Sequence, residues 1–189
     1  MNSTVEYYKT LMGDLDWLGP SMGWTVVSPH RGGLSTEQIV ARLGLDPTPT
    51  PYVSEVGIAG EVSLGQAGSS MMLFEASAIS FIGQPKFLAA LSESAEVWHV
   101  SWTITGQSKL RVAENGELSA EIPDFDYKMA RGPRVDVISP EIDLLRQVAR
   151  RRRPTLFATA MAIVENRTGA RLSREWLGTP QSTIAVEAL

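Results

Sequence analysis

Residues 96–122 read EVWHVSWTITGQSKLRVAENGELSAEI. Trp98, Val100, Trp102 and Ile104 fall on every second position, and His99, Ser101, Thr103 and Thr105 lie between them. That alternation marks a strand with one buried face. Two more strand-like runs follow, Ser108 to Ala113 and Glu117 to Ile122, with turn residues at Gly106 and at Asn115-Gly116. The stretch predicts a three-stranded antiparallel meander that carries two tryptophans into one core.

The register of the second hairpin follows from side-chain chemistry. A two-residue Asn115-Gly116 turn would set Val112 opposite Ser119 and Leu110 opposite Glu121. A three-residue loop, Glu114-Asn115-Gly116 with Gly116 left-handed as a bulge, instead pairs Val112 with Leu118 and Leu110 with Ala120, and a one-residue slip inverts every side chain, so this register is expected. Trp98, Trp102, Leu110, Val112, Leu118 and Ile122 then point inward. His99, Lys109, Arg111, Ser119 and Glu121 take the other face, with His99 expected to be half-exposed.

Outward from the meander, Trp24 to Val27 reads as a strand ended by Pro29. The loop His30-Arg31-Gly32-Gly33 leads to a helix that Ser35 caps and Gln38 completes as a capping box, with Ile39, Val40 and Leu43 on its apolar stripe. Pro47, Pro49 and Pro51 make a semi-extended connector. Glu55 to Leu64 alternates like a strand, and Met71 to Phe74 is apolar on both faces, as a central covered strand requires. Pro85 to Leu91 reads as a short helix. Ser139-Pro140 opens a helix carrying Ile142, Leu145 and Val148. The run Arg150-Arg151-Arg152-Arg153 ends at Pro154 with a helix break. The next helix, Thr155 to Thr168, places Phe157, Ala160, Met161 and Val164 at i, i+3, i+4, i+7. Val5 to Leu18 is expected to form one or two short helical turns, and Thr183 to Val186 a closing strand. The whole chain, 1–189, is read as a single α+β domain, a mainly antiparallel sheet with its meander packed against about three helices; residues 139–189 are its basic helical C-terminal part. The Ser35 helix and the two C-terminal helices are expected on one face of the sheet, with loops on the other.

Composition narrows the function classes. The chain carries net charge −4 and no cysteine, which removes disulfides, thiolate metal sites and cysteine nucleophiles. Its charge is divided: residues 1–145 hold 9 Lys and Arg against 18 Asp and Glu, while residues 146–189 hold 8 against 3. No apolar run is long enough for a membrane span and no signal peptide is visible at the start, so a cytoplasmic, non-membrane protein is expected. With two histidines and no H-x-x-x-H, H-E-x-x-H or G-x-S-x-G motif, no metal, cofactor or catalytic residue is assigned.

Several pieces occur in a familiar order: Asp16-Trp17-Leu18, RGGLSTEQIVARLG, LSESAEVWHVSWTITG, AENGEL, Arg131-Gly132-Pro133 and TGARLSREWL. In this series the chain resembles an uncharacterised actinobacterial family, a domain of unknown function of about this length. One departure is visible, since the family's helix-leading loop reads Arg-Gly-Leu and here an added glycine gives Arg31-Gly32-Gly33-Leu34. The resemblance implies a fold class and a bacterial cytoplasmic setting, and it brings no established activity.

Three functional readings follow. The first is a non-enzymatic binding or accessory protein. An unidentified protein partner would touch His99, Lys109 and Arg111 on the meander or the corner Arg150, Arg151, Arg152 and Arg153. The second is a small anionic ligand, or an enzyme site, at His30, Arg31, Gly32 and Gly33 before the Ser35 helix. The third, nucleic-acid binding through the arginines, ranks last because no aromatic residues interleave them.

Overall fold

The structure, a computed structural model, describes residues 3–48, 51–77 and 79–185. It is an α+β fold built on one eight-stranded sheet. The strands are β1 (Met22–Pro29), β2 (Tyr52–Ser54), β3 (Glu61–Ala67), β4 (Ser70–Glu75), β5 (Ala95–Trp102), β6 (Ser108–Glu114), β7 (Glu117–Pro123) and β8 (Gln181–Ala185). Their order is β2-β8-β3-β4-β1-β5-β6-β7, and every neighbouring pair is antiparallel. The helices are α1 (Ser3–Asp14), α2 (Thr36–Arg42), α3 (Pro85–Leu91), α4 (Ser139–Val148), α5 (Arg153–Thr168) and α6 (Arg174–Leu177).

The alternation read in β5 divides the two faces of the sheet. Trp98, Val100 and Trp102 join Trp24 and Val26 of β1 and Phe74 of β4 in the larger core, which α1, α4 and α5 cover. Val97 and Ala95 face the other way, with Val27, Leu64 and Leu73, under α2 and α3. The Ser35 helix thus lies on the opposite face from the two C-terminal helices, not beside them. The reason is volume. The helix α5 is buried continuously from Phe157 to Val164, wedged between the sheet, α1 and α4, and leaves no site for α2 on that side. Its alanines at 158, 160 and 162 permit the close approach.

Two local expectations are also revised. The meander's second hairpin turns on two residues, with Glu114 opposite Glu117 and both Asn115 (φ 53°) and Gly116 (φ 86°) left-handed, the geometry that Asn-Gly favours. A bulge between Val112 and Ala113 then resets the register, so that Val112 pairs with Ala120, Arg111 with Glu121 and Leu110 with Ile122. One extra residue gives both the preferred turn and the apolar pairing. In the second case, residues 55–60 are turns rather than strand, and β3 begins only at Glu61.

Smaller differences are of the same kind. The first helix is longer than expected, twelve residues followed by a 3-10 turn over Asp16–Leu18. Helix α5 starts at Arg153, with Pro154 in its first turn. The strand β5 ends at Trp102, leaving Ile104 71% exposed in the turn. Pro49 and Val186, named in the sequence reading, lie outside the described residues. Among the described residues no helix is long and apolar enough to cross a membrane.

Sheet and helix layer meet most closely where Trp102 stacks on Phe157, ring centroids 4.4 Å apart and planes 20° from parallel. The Trp102 indole N–H donates to the Leu18 carbonyl at 3.0 Å, tying the end of the first helical segment to the same point. Trp102→Ala is expected to cost about 3–5 kcal/mol of stability through the lost stack and the cavity left behind, measurable as a lowered urea midpoint.

Candidate functional site

The second face of the sheet is apolar only where α2 and α3 reach it. Beyond them the inward-pointing positions turn polar: Thr25 on β1, Glu75 on β4, His99 and Ser101 on β5, Arg111 on β6 and Glu121 on β7. All but Arg111 are buried, and the Arg111 side chain is only 12% exposed. The segment after β4 folds back over them. His99, expected to be half-exposed, is 0% exposed. A sheet-facing position has two covers here, the strands and this returning loop, and only the first is visible in the alternation of β5.

These groups form one connected network. Ser80 Oγ donates to Glu75 Oε1 at 2.5 Å, and the Phe81 N–H donates to Glu75 Oε2 at 2.9 Å. With Glu75 ionised, the single Ser80 proton is directed at it, and Ser80 Oγ accepts from the Gly83 N–H at 3.0 Å and, over a longer 3.4 Å, from His99 Nε2. That assignment leaves His99 Nδ1 to accept from the Thr25 hydroxyl at 2.8 Å. On the meander side, Arg111 pairs with Glu121 and donates to the Gly83 carbonyl at 2.5 Å. Glu121 also accepts from Arg131 at 2.6 Å.

Two glycines make room for this cluster. A Cβ on Gly23 would stand 2.6 Å from Glu75 Oε1, and one on Gly83 would stand 2.6 Å from Ser80 Oγ and press on the His99 ring. Both glycines have φ in the range any residue adopts, so their place is explained by contact rather than by turn geometry.

Burial sets the protonation of the network. Desolvation pushes the Glu75 carboxyl up to about 7, against the lowering effect of its hydrogen bonds from Ser80, Phe81 and Ile82. Desolvation, with the positive charges of Arg111 and Lys109 behind it, holds His99 down to about 3, so the ring is neutral. Burial also acts to raise Glu121, but the hydrogen bonds and charges of Arg131 and Arg111 outweigh it and keep this carboxylate below its ordinary value.

Above the network lies an open cleft of about 580 Å³. Its floor is the polar stripe Ser101, Lys109 and Arg111, one wall is the returning loop with Ile79, Ser80 and Gly83, and the other is the β5–β6 turn with Thr103, Thr105 and Gln107. Lys109 is partly buried there and makes no ion pair among the described residues. Lys109 and Arg111, assigned from sequence to a partner-facing surface, thus meet in a cleft, with His99 beneath its wall and out of reach of any partner. Glu75, Ser80 and Thr25 were missed. The signal for Glu75 was its place two residues after Leu73 in a strand covered on both faces; Thr25 and Ser80 needed the strand pairing and the returning loop.

Of the loop His30, Arg31, Gly32 and Gly33, all but Gly32 line a separate open depression with Gln38 and Arg42. The capping box is present: Gln38 N–H donates to Ser35 Oγ and Ser35 N–H to Gln38 Oε1. The seven-residue helix therefore has two N–H groups already bonded at this end. Glu114 stands 3.8 Å from His30 and opposes an anion there.

Around the basic corner, Arg146 pairs with Asp143, Arg167 with Glu141, Arg171 with Glu165 and Arg174 with Asp14. Arg153 donates to the Gly106 carbonyl and lies over the Phe157 ring. Arg150, Arg151 and Arg152 are exposed and make no ion pair among the described residues. The two loop carboxylates Asp124 and Asp126 accept backbone N–H groups of Ser108 and Lys128, the first at the start of β6 and the second as the cap of a short 3-10 turn. Among the described residues no group of three or more His, Asp or Glu is placed to hold a metal ion.

Comparison with protein-family models, with curated proteins and with solved structures finds no match for this chain.

The raised Glu75 has a measurable consequence. The folded state keeps this proton where the unfolded chain has lost it, so its contribution to stability is full below the ordinary value of 4.5 and is lost as pH rises through about 7. Glu75→Gln removes the titration, and the His99 contribution is common to both proteins. The stability of the variant relative to wild type should rise by about 3 kcal/mol between about pH 4 and about pH 8 in urea titrations. A second prediction concerns room rather than charge: Gly83→Ala is expected to lower stability by about 1–3 kcal/mol at neutral pH through overpacking against His99 and Ser80.

Proposed function

We propose that this protein is a cytoplasmic, non-enzymatic binding protein whose ligand is a small anion seated in the cleft over Lys109. The observation that carries this reading is the state of the cations on the cleft floor. Arg111 is held by Glu121 and Gly83, whereas Lys109 is partly buried beside it with no ion-pair partner among the described residues. A partly desolvated ammonium attracts an anion more strongly than an exposed one, and the volume lies in the range of small-molecule sites. The buried network supports the reading in a second way, because it fixes the wall at Ser80 and Gly83 before any ligand arrives and so lowers the ordering cost of binding.

The His30–Gly33 loop is a weaker candidate, since Glu114 beside it repels the same ligand class. Nucleic-acid binding is also less favoured, because four of the arginines that would make a stripe are already paired. Membership of the actinobacterial family remains part of this proposal and adds no activity to it.

Amide chemical shifts test the reading directly. On titration with millimolar citrate, phosphate and short carboxylates, amides of residues 79–85 and 101–109 are expected to shift together and saturably. Lys109→Met should remove the response while leaving the remaining spectrum in place; a response spread over the surface, or one unchanged in the variant, counts against the cleft.

A second reading rests on Arg150, Arg151 and Arg152, three exposed guanidinium groups left uncommitted beside four that are paired. They fit an acidic protein partner steered to this corner. A native pull-down should then recover a partner with the wild type and lose it when the three are changed to Ser; recovery by both proteins clears the arginines.

A further inference from the structure

We infer that the ligand of the cleft is a hydroxylated monocarboxylate, a sugar acid of the uronic or aldonic type. This rests on the cleft being the ligand site and adds the chemical class.

Charge sets the first limit. Lys109 offers one positive charge that no carboxylate among the described residues pairs, while the charge of Arg111 is answered by Glu121. Arg131, the other cation on Glu121, is 66% exposed and does not line the cleft. Glu75 lies directly behind Ser80, and its carboxyl, ionised in part near neutral pH, penalises a second negative charge on the ligand. One net charge is therefore matched, which favours a carboxylate over a phosphate dianion. An ammonium with three rotatable donors suits a carboxylate as a point charge and lacks the bidentate fork that selects phosphate.

Hydrogen-bonding capacity sets the second limit. Apart from Lys109, Arg111 and Ser80, whose hydroxyl is committed to the buried network, the polar lining consists of hydroxyls and amides: Ser101, Thr103, Thr105, Gln84 and Gln107. Such groups both donate and accept, as ligand hydroxyls do. Thr105 and Gln107 are exposed at the rim, and the Thr105 hydroxyl, 2.8 Å from that of Thr103, keeps further hydrogen-bonding capacity for a ligand hydroxyl. A simple aliphatic acid would leave these groups facing apolar surface, at a cost for each one desolvated and unpaired.

Shape and surface set the third. Among the described residues no aromatic side chain lines the cleft, so they offer no platform on which a nucleobase or an aromatic acid could stack. Its apolar side chains, Ile79 and Pro85, are aliphatic and suit the C–H face of a sugar ring. The volume of about 580 Å³ holds a monosaccharide acid together with bridging water.

Calorimetric titration of the full chain tests the assignment, with D-glucuronate and D-gluconate as probes. Glucose keeps the hydroxyls without the charge, propionate keeps the charge without the hydroxyls, benzoate adds an aromatic ring, and phosphate supplies the dianion. Glucuronate or gluconate is expected to bind saturably, at least about tenfold more tightly than any of these four. Lys109→Met should weaken it by about tenfold or more, and Thr105→Val should weaken glucuronate while leaving propionate unchanged. Both variants alter side chains that are not fully buried, and an unchanged amide spectrum away from the cleft shows that they fold. If phosphate or benzoate binds over Lys109 while glucuronate does no better than propionate, the sugar-acid class is wrong and the anion cleft stands. If no anion binds, both fall. Glucuronate binding that Lys109→Met leaves unchanged also overturns the assignment, because the site is then elsewhere.

Discussion

The structure depends on one geometric constraint, the covering of both faces of a wide sheet by few helices. Eight strands at about 4.8 Å spacing span about 34 Å. On the larger core's side, α5 with α1 and α4 supplies enough helix to bury three tryptophans. On the other side only α2 and α3 are available, seven residues each, and each is about 10 Å long at 1.5 Å per residue. Helix α2 packs with the β1, β3 and β4 residues of the smaller core and α3 lies over the near ends of β5, β6 and β7, and the remainder must be closed by chain without regular structure. A loop placed over a sheet brings backbone groups that need partners. The buried polar network is the solution found here: Glu75 takes the Ser80 hydroxyl and the Phe81 N–H, and Arg111 takes the Gly83 carbonyl.

That solution leaves charges where an apolar cover would leave none. A carboxylate and an arginine are enclosed within a few residues of one another, and each is stabilised by specific bonds rather than by solvent. Breaking one member exposes the rest to the full desolvation cost, so the network behaves as a unit. Its effect on the cleft is indirect. Ser80 and Gly83 belong both to the network and to the wall, so the position of the wall is set by Glu75 and Arg111 even though Glu75 does not line the cleft.

The sequence carried the fold further than it carried the site, for physical reasons. Period-2 alternation in β5 identified the face of Trp98 and Trp102, and also that of His99, because alternation is a local property of the strand. The capping box of α2 and the helix break between α4 and α5 are likewise written in adjacent residues. Burial of His99 was not, since what covers it is a loop from residues 79–83 whose path depends on Glu75. The hairpin register failed for a related cause. Weighing a two-residue against a three-residue turn assumed regular strands, and a bulge satisfied both the turn and the pairing at once. Among the arginines, sequence separated a basic end from an acidic body but not the paired members from Arg150, Arg151 and Arg152.

The wiring of the network differs from that of a Ser-His-acid triad, which agrees with the proposed binding role. In a hydrolytic arrangement the histidine would take the serine proton and be held by the carboxylate. Here the serine proton goes to Glu75, His99 is bonded to Thr25, and burial keeps the ring neutral far below neutral pH. Gly83 N–H adds a further donor to Ser80 Oγ, which draws density away from the atom that would have to attack. The same residues that would make a nucleophile in another order make a rigid wall in this one. In the proposed binding reading the ligand is held by Lys109, which makes no ion pair among the described residues, at the floor of the cleft.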